Sequence, residues 1–230
     1  MYFQHSSQIW SDFPELVAGA VFAAGITADA TVRPQVARFN AIAEARLADG
    51  AESTFPEVQA WRRAFSRMGL KPTQYRCASE SLLRRFRKER ALPQIHPLID
   101  LCNAISLAFA IPVAVFDADK ISANLEVRYA NGDESYLSLA ADTEHPDPHE
   151  VIFADAAGRA HARRWTNRQS GLSTVTDTTT TALIVAEAMH ESASTDVPKL
   201  TATIADELKG IWPATPRLAT LTRPSPRFEF

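Results

Sequence analysis

Cysteine is scarce: Cys77 and Cys102 are the only two in 230 residues. Two thiols build no disulfide framework, so a reducing, cytoplasmic setting is expected. Glycine is also sparse, with eight residues, and no glycine-rich phosphate loop is present. No G-x-S-x-G elbow occurs, and no serine stands out as a nucleophile beside a histidine. No cysteine pair has zinc spacing. His145 and His149 are four apart, but Pro146 and Pro148 turn that stretch into a loop, so neither metal nor cofactor is expected. No apolar run approaches the roughly 20 residues that cross a bilayer, so no membrane role is expected. The opening MYFQHSSQIW has neither the basic start nor the apolar run of a signal peptide. Its Tyr-Phe-Gln looks like a cloning remnant and is assigned no structural weight.

What remains is an ordinary globular composition, 46% hydrophobic and 22% charged. The net charge of −3 hides an asymmetry. Residues 61–90 carry ten basic side chains and only two acidic ones, Glu80 and Glu89. Six of the basic residues, Arg62, Arg63, Arg84, Arg85, Arg87 and Lys88, are candidates for an anionic partner. The alternative is a solvated helical face.

The most apolar window is 92–117, LPQIHPLIDLCNAISLAFAIPVAVFD. Proline suits the first turn of a helix and disrupts its interior. The prolines therefore predict a helix over 97–109, a break before Pro112 and a strand over 113–116. At roughly 100° per residue, Leu98, Leu101, Cys102, Ile105 and Phe109 share one face. His96, Asp100 and Asn103 share the other. Buried polar groups need partners, so this stripe braces the backbone or lines a site.

Around this window, apolar spacing predicts an opening strand over 16–24 and helices over 33–48, 56–70 and from about residue 79. Asn131-Gly132 between LEVRY and SYLSL predicts a hairpin. Antiparallel strands follow over 151–154 and 160–165. ALIVAEAM fits strand or helix, and its Ile184 and Val185 favour strand. A last helix runs over 197–211, and the proline-studded tail reads as irregular. The sum is a mixed α+β fold, with helices in the first half, sheet in the second and one helix at the end.

Few residues invite chemistry. Glu187 is a charge inside an apolar strand, which makes it a paired carboxylate or a site residue. Trp165, Asn167, Arg168 and Gln169 form a polar and aromatic patch after a strand. Arg168 either contacts phosphate or locks a carboxylate such as Glu187. Cys102, on an apolar face, reads as a structural thiol.

Together these residues form a pattern. ALPQIHPLIDLCNAISLAFAIPVAVFDADKI resembles the B3/B4 editing domain of the phenylalanyl-tRNA synthetase beta subunit, which reads R-P-x-N-x-L-V-D-x-T-N and then Q-P-L-H-A-F-D. The matching points are Asp100, Asn103, Pro112, Phe116 and Asp117. EVIFADAAG, STVTDTT and IVAEAM resemble later segments of that domain, so the likeness covers roughly 69–189. The flanking helices resemble those of stand-alone members of the family, and no aminoacylation signature is present.

The resemblance implies a sandwich of antiparallel or mixed sheets with helices outside. It implies a single domain over 1–230, with a core over 69–189, a helical part over 13–68 and a helix over 196–212. It also implies hydrolysis of misacylated tRNA, which in the synthetase is tyrosine in place of phenylalanine. The implied partner is tRNA or aminoacyl-tRNA. Asn103 falls on the family's pocket asparagine and Glu187 on the glutamate that reads the amino-acid side chain. Cys102 replaces a pocket threonine and Ala114 a pocket histidine. The family's G-V-M-G-G turn is here Trp165 to Gln169. These departures reshape the pocket and remove a side chain that positions water or the ester. The implied site is Asn103, His96 and Glu187 as reacting or anchoring groups. Asp100, Cys102, Ala114, Trp165, Arg168 and Gln169 would form its walls. The alternatives are a non-catalytic tRNA-binding module and a pocket reused for a free amino acid or other small molecule.

Overall fold

The computed structural model describes residues 1–230. In chain order the elements are β1 (Tyr2–His5), α1 (Ser7–Asp12), β2 (Val17–Ala24), α2 (Arg33–Asp49), α3 (Pro56–Arg67), α4 (Ala78–Glu89) and α5 (Pro97–Phe109). Then come β3 (Val113–Asp117), β4 (Asn124–Tyr129), β5 (Tyr136–Leu137), β6 (Thr143–Glu144), β7 (Val151–Asp155), β8 (Ala160–Arg163) and β9 (Arg168–Gln169). The chain ends with β10 (Thr181–Ala188), α6 (Ala193–Ile211), β11 (Arg217–Leu221) and β12 (Arg227–Glu229).

Strand β10 organises the molecule. It lies between β2 and β3 in a four-stranded sheet of order β11-β2-β10-β3 and pairs antiparallel with both. Alternate side chains of a strand point to opposite faces. Ala182, Ile184, Ala186 and Ala188 join a core with Leu98, Leu101, Cys102 and Ile105 of α5 and with Val197, Leu200 and Ile204 of α6. Leu183 and Val185 face the other way. They pack with Phe3, Val127 and Phe153 of a second sheet, ordered β12-β1-β4-β7-β8-β9. Glu187 has the parity of Leu183 and Val185, so it points into the space between the sheets. The second sheet is mixed, because β1 runs parallel to β4.

Two helices show how sequence sets geometry. Helix α5 starts on Pro97 and is capped by His96, whose Nδ1 accepts the Leu98 N–H at 3.1 Å. It stops at Ala110 in the left-handed region, φ 56°. Helix α6 lies so close to β2 that a Cβ on Gly19 would come within 2.5 Å of the Thr201 methyl and 2.9 Å of a Val197 methyl. Only glycine allows that approach.

Four expectations fail. The opening residues are strand β1, paired with β4 and β12 and carrying the buried Phe3 and His5. The tail is not irregular: β11 pairs with β2, and β12 pairs with β1. Its prolines lie outside the paired residues, where a missing donor is tolerated. Asn131-Gly132 closes no hairpin, since β4 pairs with β7 while β5 pairs with β6. The buried Glu134 carboxylate collects the N–H groups of Asn131 and Gly132 and the Arg128 guanidinium. Burial alone would raise the pKa of Glu134, but these donors outweigh it and hold it low. Finally, strand β8 stops at Arg163, because Arg164 (φ 47°) and Trp165 (φ 57°) are left-handed.

Candidate functional site

A hollow of about 380 Å³ opens where α4, α5 and the sheets meet. Its walls include Ser81 and Arg85 of α4, Asn103 of α5, Ala114 of β3 and Glu187 of β10, with Trp165, Arg168 and Gln169 closing another side. The volume is at the small end of ligand sites, which run roughly 300–1,000 Å³.

At the deep end sits Glu187, 2% exposed. Trp165 Nε1 donates to its Oε1 at 2.9 Å, and His5 Nε2 lies 2.6 Å from the same oxygen. No protein donor reaches Oε2, and that oxygen is not sealed off from open space. The indole of Trp61 donates to the Glu187 backbone carbonyl at 3.3 Å.

Trp165 itself is fully buried, edge-on to Phe13 at 4.9 Å and to Trp61 at 5.1 Å. A bulky residue in the left-handed region costs about 1–3 kcal/mol. Indole burial and the bond to Glu187 offset that strain. The same left-handed pair is the reason a glycine-rich turn suits this place.

The other predicted residues distribute as follows. Arg168 does not lock Glu187; it clamps the Glu144 carboxylate with bonds of 2.8 and 2.7 Å. That guanidinium lowers the pKa of Glu144. Gln169 Nε2 donates to the Val115 carbonyl at 2.6 Å, tying β9 to β3. Cys102 is outside the hollow, in the helix–sheet core, and burial pushes its thiol up to about 12. His96 and Asp100 line a second groove of about 710 Å³ between α2, α5 and residues 91–97. Asn103 borders both spaces. His96 therefore lines a different space from Glu187, and burial lowers its pKa. Its Nδ1 serves the α5 cap, while its Nε2 has no partner.

The basic face is partly spent within the protein. Arg84 and Arg87 reach the buried Glu52, and Arg62 and Arg76 reach the buried Glu80. Arg85 pairs with Glu89 at 2.8 Å, both half exposed, which is a weak surface contact. Arg63 and Lys88 make no ion pair, so they keep their full charge for a partner. Helix α4, which bears Arg84, Arg85, Arg87 and Lys88, also walls the hollow.

One serine does stand beside a histidine in the structure, though not as a nucleophile. Ser173 Oγ is 2.8 Å from His161 Nδ1, and His161 Nε2 is 3.1 Å from Asp155 Oδ2. Ser173 and His161 are fully buried, and Asp155 is 5% exposed. The Asp155 carboxylate also takes the Arg159 guanidinium and the N–H groups of Ser122, Ala157 and Arg159. This cluster braces β7 against β8 and offers no accessible nucleophile.

These features define an α+β domain with one small, carboxylate-floored hollow roofed by a basic helix. The B3/4 domain family model matches residues 60–201, and the chain belongs to that family. A phenylalanine–tRNA ligase beta subunit of Bradyrhizobium diazoefficiens is 39% identical over 67 residues, 29% of this chain and 8% of that protein. The crystal structure of an N-terminal fragment of the phenylalanyl-tRNA synthetase beta subunit from Pyrococcus horikoshii superposes with a TM-score of 0.50. That alignment has 12% identity and covers 94% of this chain and 50% of the fragment, so it shows a shared fold. The chain spans only a small part of its curated relative.

Sequence reasoning missed His5 altogether. No local signal joins it to Glu187, 182 residues away. Arg85 was named for charge alone and also lines the hollow.

Proposed function

We propose that this protein binds tRNA and hydrolyses misacylated aminoacyl-tRNA in trans. The observation that carries the reading is that Asn103 and Glu187, from different elements, wall one open hollow of aminoacyl size. Trp165 borders it.

The ester of an aminoacyl-tRNA is activated, so orientation supplies much of what hydrolysis needs, several kcal/mol of the barrier. The Asn103 amide holds the attacking water against the ester carbonyl. The neighbouring ribose hydroxyl of the substrate takes the water's proton and passes its own to the esterified ribose oxygen, which leaves as the ester C–O bond breaks, releasing free amino acid and tRNA. Glu187 Oε2 takes a donor of the aminoacyl group, either its ammonium or a side-chain hydroxyl. Arg63 and Lys88 attract the phosphate backbone, whose charge dominates nucleic-acid affinity. Arg85 joins them by exchanging its exposed carboxylate for a phosphate.

A second reading is a tRNA-binding module without chemistry. Ala114, where the family carries a histidine, favours it, as does a hollow whose only titratable walls are Arg85, Arg168 and Glu187. A panel of mischarged tRNAs separates the two. Release of amino acid above the buffer rate, lost in Asn103→Ala, supports hydrolysis. Salt-sensitive binding with every ester left intact supports the module.

A further inference from the structure

We infer that His5, which lies outside the matched family segment, is a positioning residue of the candidate site: it holds the Glu187 carboxylate so that Oε2 alone faces the hollow, and so sharpens that carboxylate's preference for a ligand hydrogen-bond donor. The inference deepens the editing reading and rests on it for the identity of the ligand.

The matched family segment begins at residue 60, so β1 lies outside it. His5 nevertheless reaches the carboxylate at the bottom of the hollow, 2.6 Å from Glu187 Oε1. An indole N–H only donates, so the Trp165 bond also uses Oε1 as acceptor. His5 Nδ1 is sealed without a partner, and the imidazole ring packs against Phe3 and Trp10, with centroids 5.2 and 5.0 Å away. A proton there would meet no acceptor, so the ring N–H sits on Nε2 and points at Glu187. Two donors on one oxygen fix the carboxylate plane and spend Oε1. Oε2 is left as the group offered to a ligand. The two cations in the walls do not reverse this polarity, because Arg168 is held by Glu144 and Arg85, half exposed on α4, belongs to the outer rim. The deep end therefore accepts hydrogen bonds and gives none. A hydroxyl or ammonium fits it, an isosteric methyl leaves Oε2 unpaired, and a carboxylate is repelled. Removing the His5 donor frees Glu187 to turn about its remaining bond to Trp165 and blurs that preference.

The test compares the full chain with His5→Leu, which removes the donor, and His5→Gln, whose amide reaches a similar point. Two readouts are used. The first is the rate of amino-acid release from matched tRNAs, tyrosyl against phenylalanyl and threonyl against valyl. The second is the Trp165 indole N–H resonance. The wild type and His5→Gln are expected to prefer the hydroxyl-bearing esters. His5→Leu is expected to lose at least tenfold of that preference and to move the indole resonance, with its melting transition still cooperative. An unchanged preference and an unmoved indole resonance in His5→Leu overturn the inference while leaving the editing reading intact. If no ester is cleaved by any variant, the editing reading fails. The indole resonance then decides the role of His5 alone: movement in His5→Leu with return in His5→Gln upholds it, and no movement refutes it.

Discussion

Replacing Glu187 separates its part in stability from its part in recognition. Glu187→Leu removes the acceptor for two buried donors, His5 Nε2 and Trp165 Nε1. Each orphaned donor costs about 1–3 kcal/mol, so the change should cost about 2–6 kcal/mol. Glu187→Gln keeps an oxygen where Oε1 stands and so keeps both partners. It converts charge-assisted bonds to neutral ones, a loss of about 1 kcal/mol per bond. The order of stability should be wild type, then Gln, then Leu, measured by urea unfolding with a common slope. For a chain of this length each kcal/mol moves Tm by roughly 2–4 °C. The double variant His5→Leu with Glu187→Leu should cost less than the sum of the single changes, because one orphan disappears. Recognition should not follow stability. Gln presents an amide donor to the hollow in place of Oε2, so ligand binding should fail although the fold is nearly intact. A Leu variant as stable as Gln, or an additive cycle, would refute the claim that Oε1 anchors both rings.

Other consequences are testable at once. Burial alone would raise the pKa of Asp155, but His161, Arg159 and the Ser122 N–H hold it well below the carboxylate range. A carboxyl so depressed stabilises the fold above its unfolded value, about 3.9, and that stability drains away as the pH falls below it. Acid unfolding should steepen below about pH 4, and Asp155→Asn should flatten that dependence while costing about 3–5 kcal/mol at neutral pH, the usual loss for breaking a buried pair. Gly19→Val should cost about 1–3 kcal/mol by overpacking α6 on β2, read as a lower urea midpoint. Burial pushes Cys77 up to about 11 and Cys102 up to about 12, so native protein should resist thiol reagents at pH 8 and react only on unfolding. If tRNA binds as proposed, Arg63→Ala with Lys88→Ala should shallow the salt dependence of affinity by about one to two phosphate contacts. Arg62→Ala should act mainly on stability, because it strips a partner from the buried Glu80.

Helices and central strands were legible because their periodicity is undiluted. The bounds of α5 follow from Pro97 and the break before Pro112. The strand character of β10 follows from its β-branched residues and from a charge that only a site or a partner tolerates. What escaped was non-local. The pairing of β1 with β12 joins the first and last residues of the chain, Met1 and Phe230, and no local pattern encodes it. The prolines of the tail outweighed the short alternations RLATL and RFE. Asn131-Gly132 signalled a hairpin, but the Glu134 carboxylate competes for those N–H groups and wins. On the site, Asn103, Ala114 and Glu187 border one hollow, and it was the family resemblance, not a local pattern, that linked Glu187 to the central stretch. The helical wheel grouped His96 and Asp100 with Asn103, and all three line the neighbouring groove; of the three, Asn103 alone also borders the hollow. Charge counting found the basic face and Glu80, but neither the burial of Glu80 nor the buried Glu52, which together spend part of that face.

The most direct measurement is titration of the isotopically labelled protein with aminoacyl-adenosines whose ester is replaced by a stable amide, followed by NMR. The account predicts saturable shifts at the Ala114 and Val185 methyls, the Asn103 side-chain amide and the Trp165 indole, abolished in Glu187→Gln. Shifts confined to the groove of residues 91–97, or none from any aminoacyl group in a preparation that still deacylates tRNA, would contradict it.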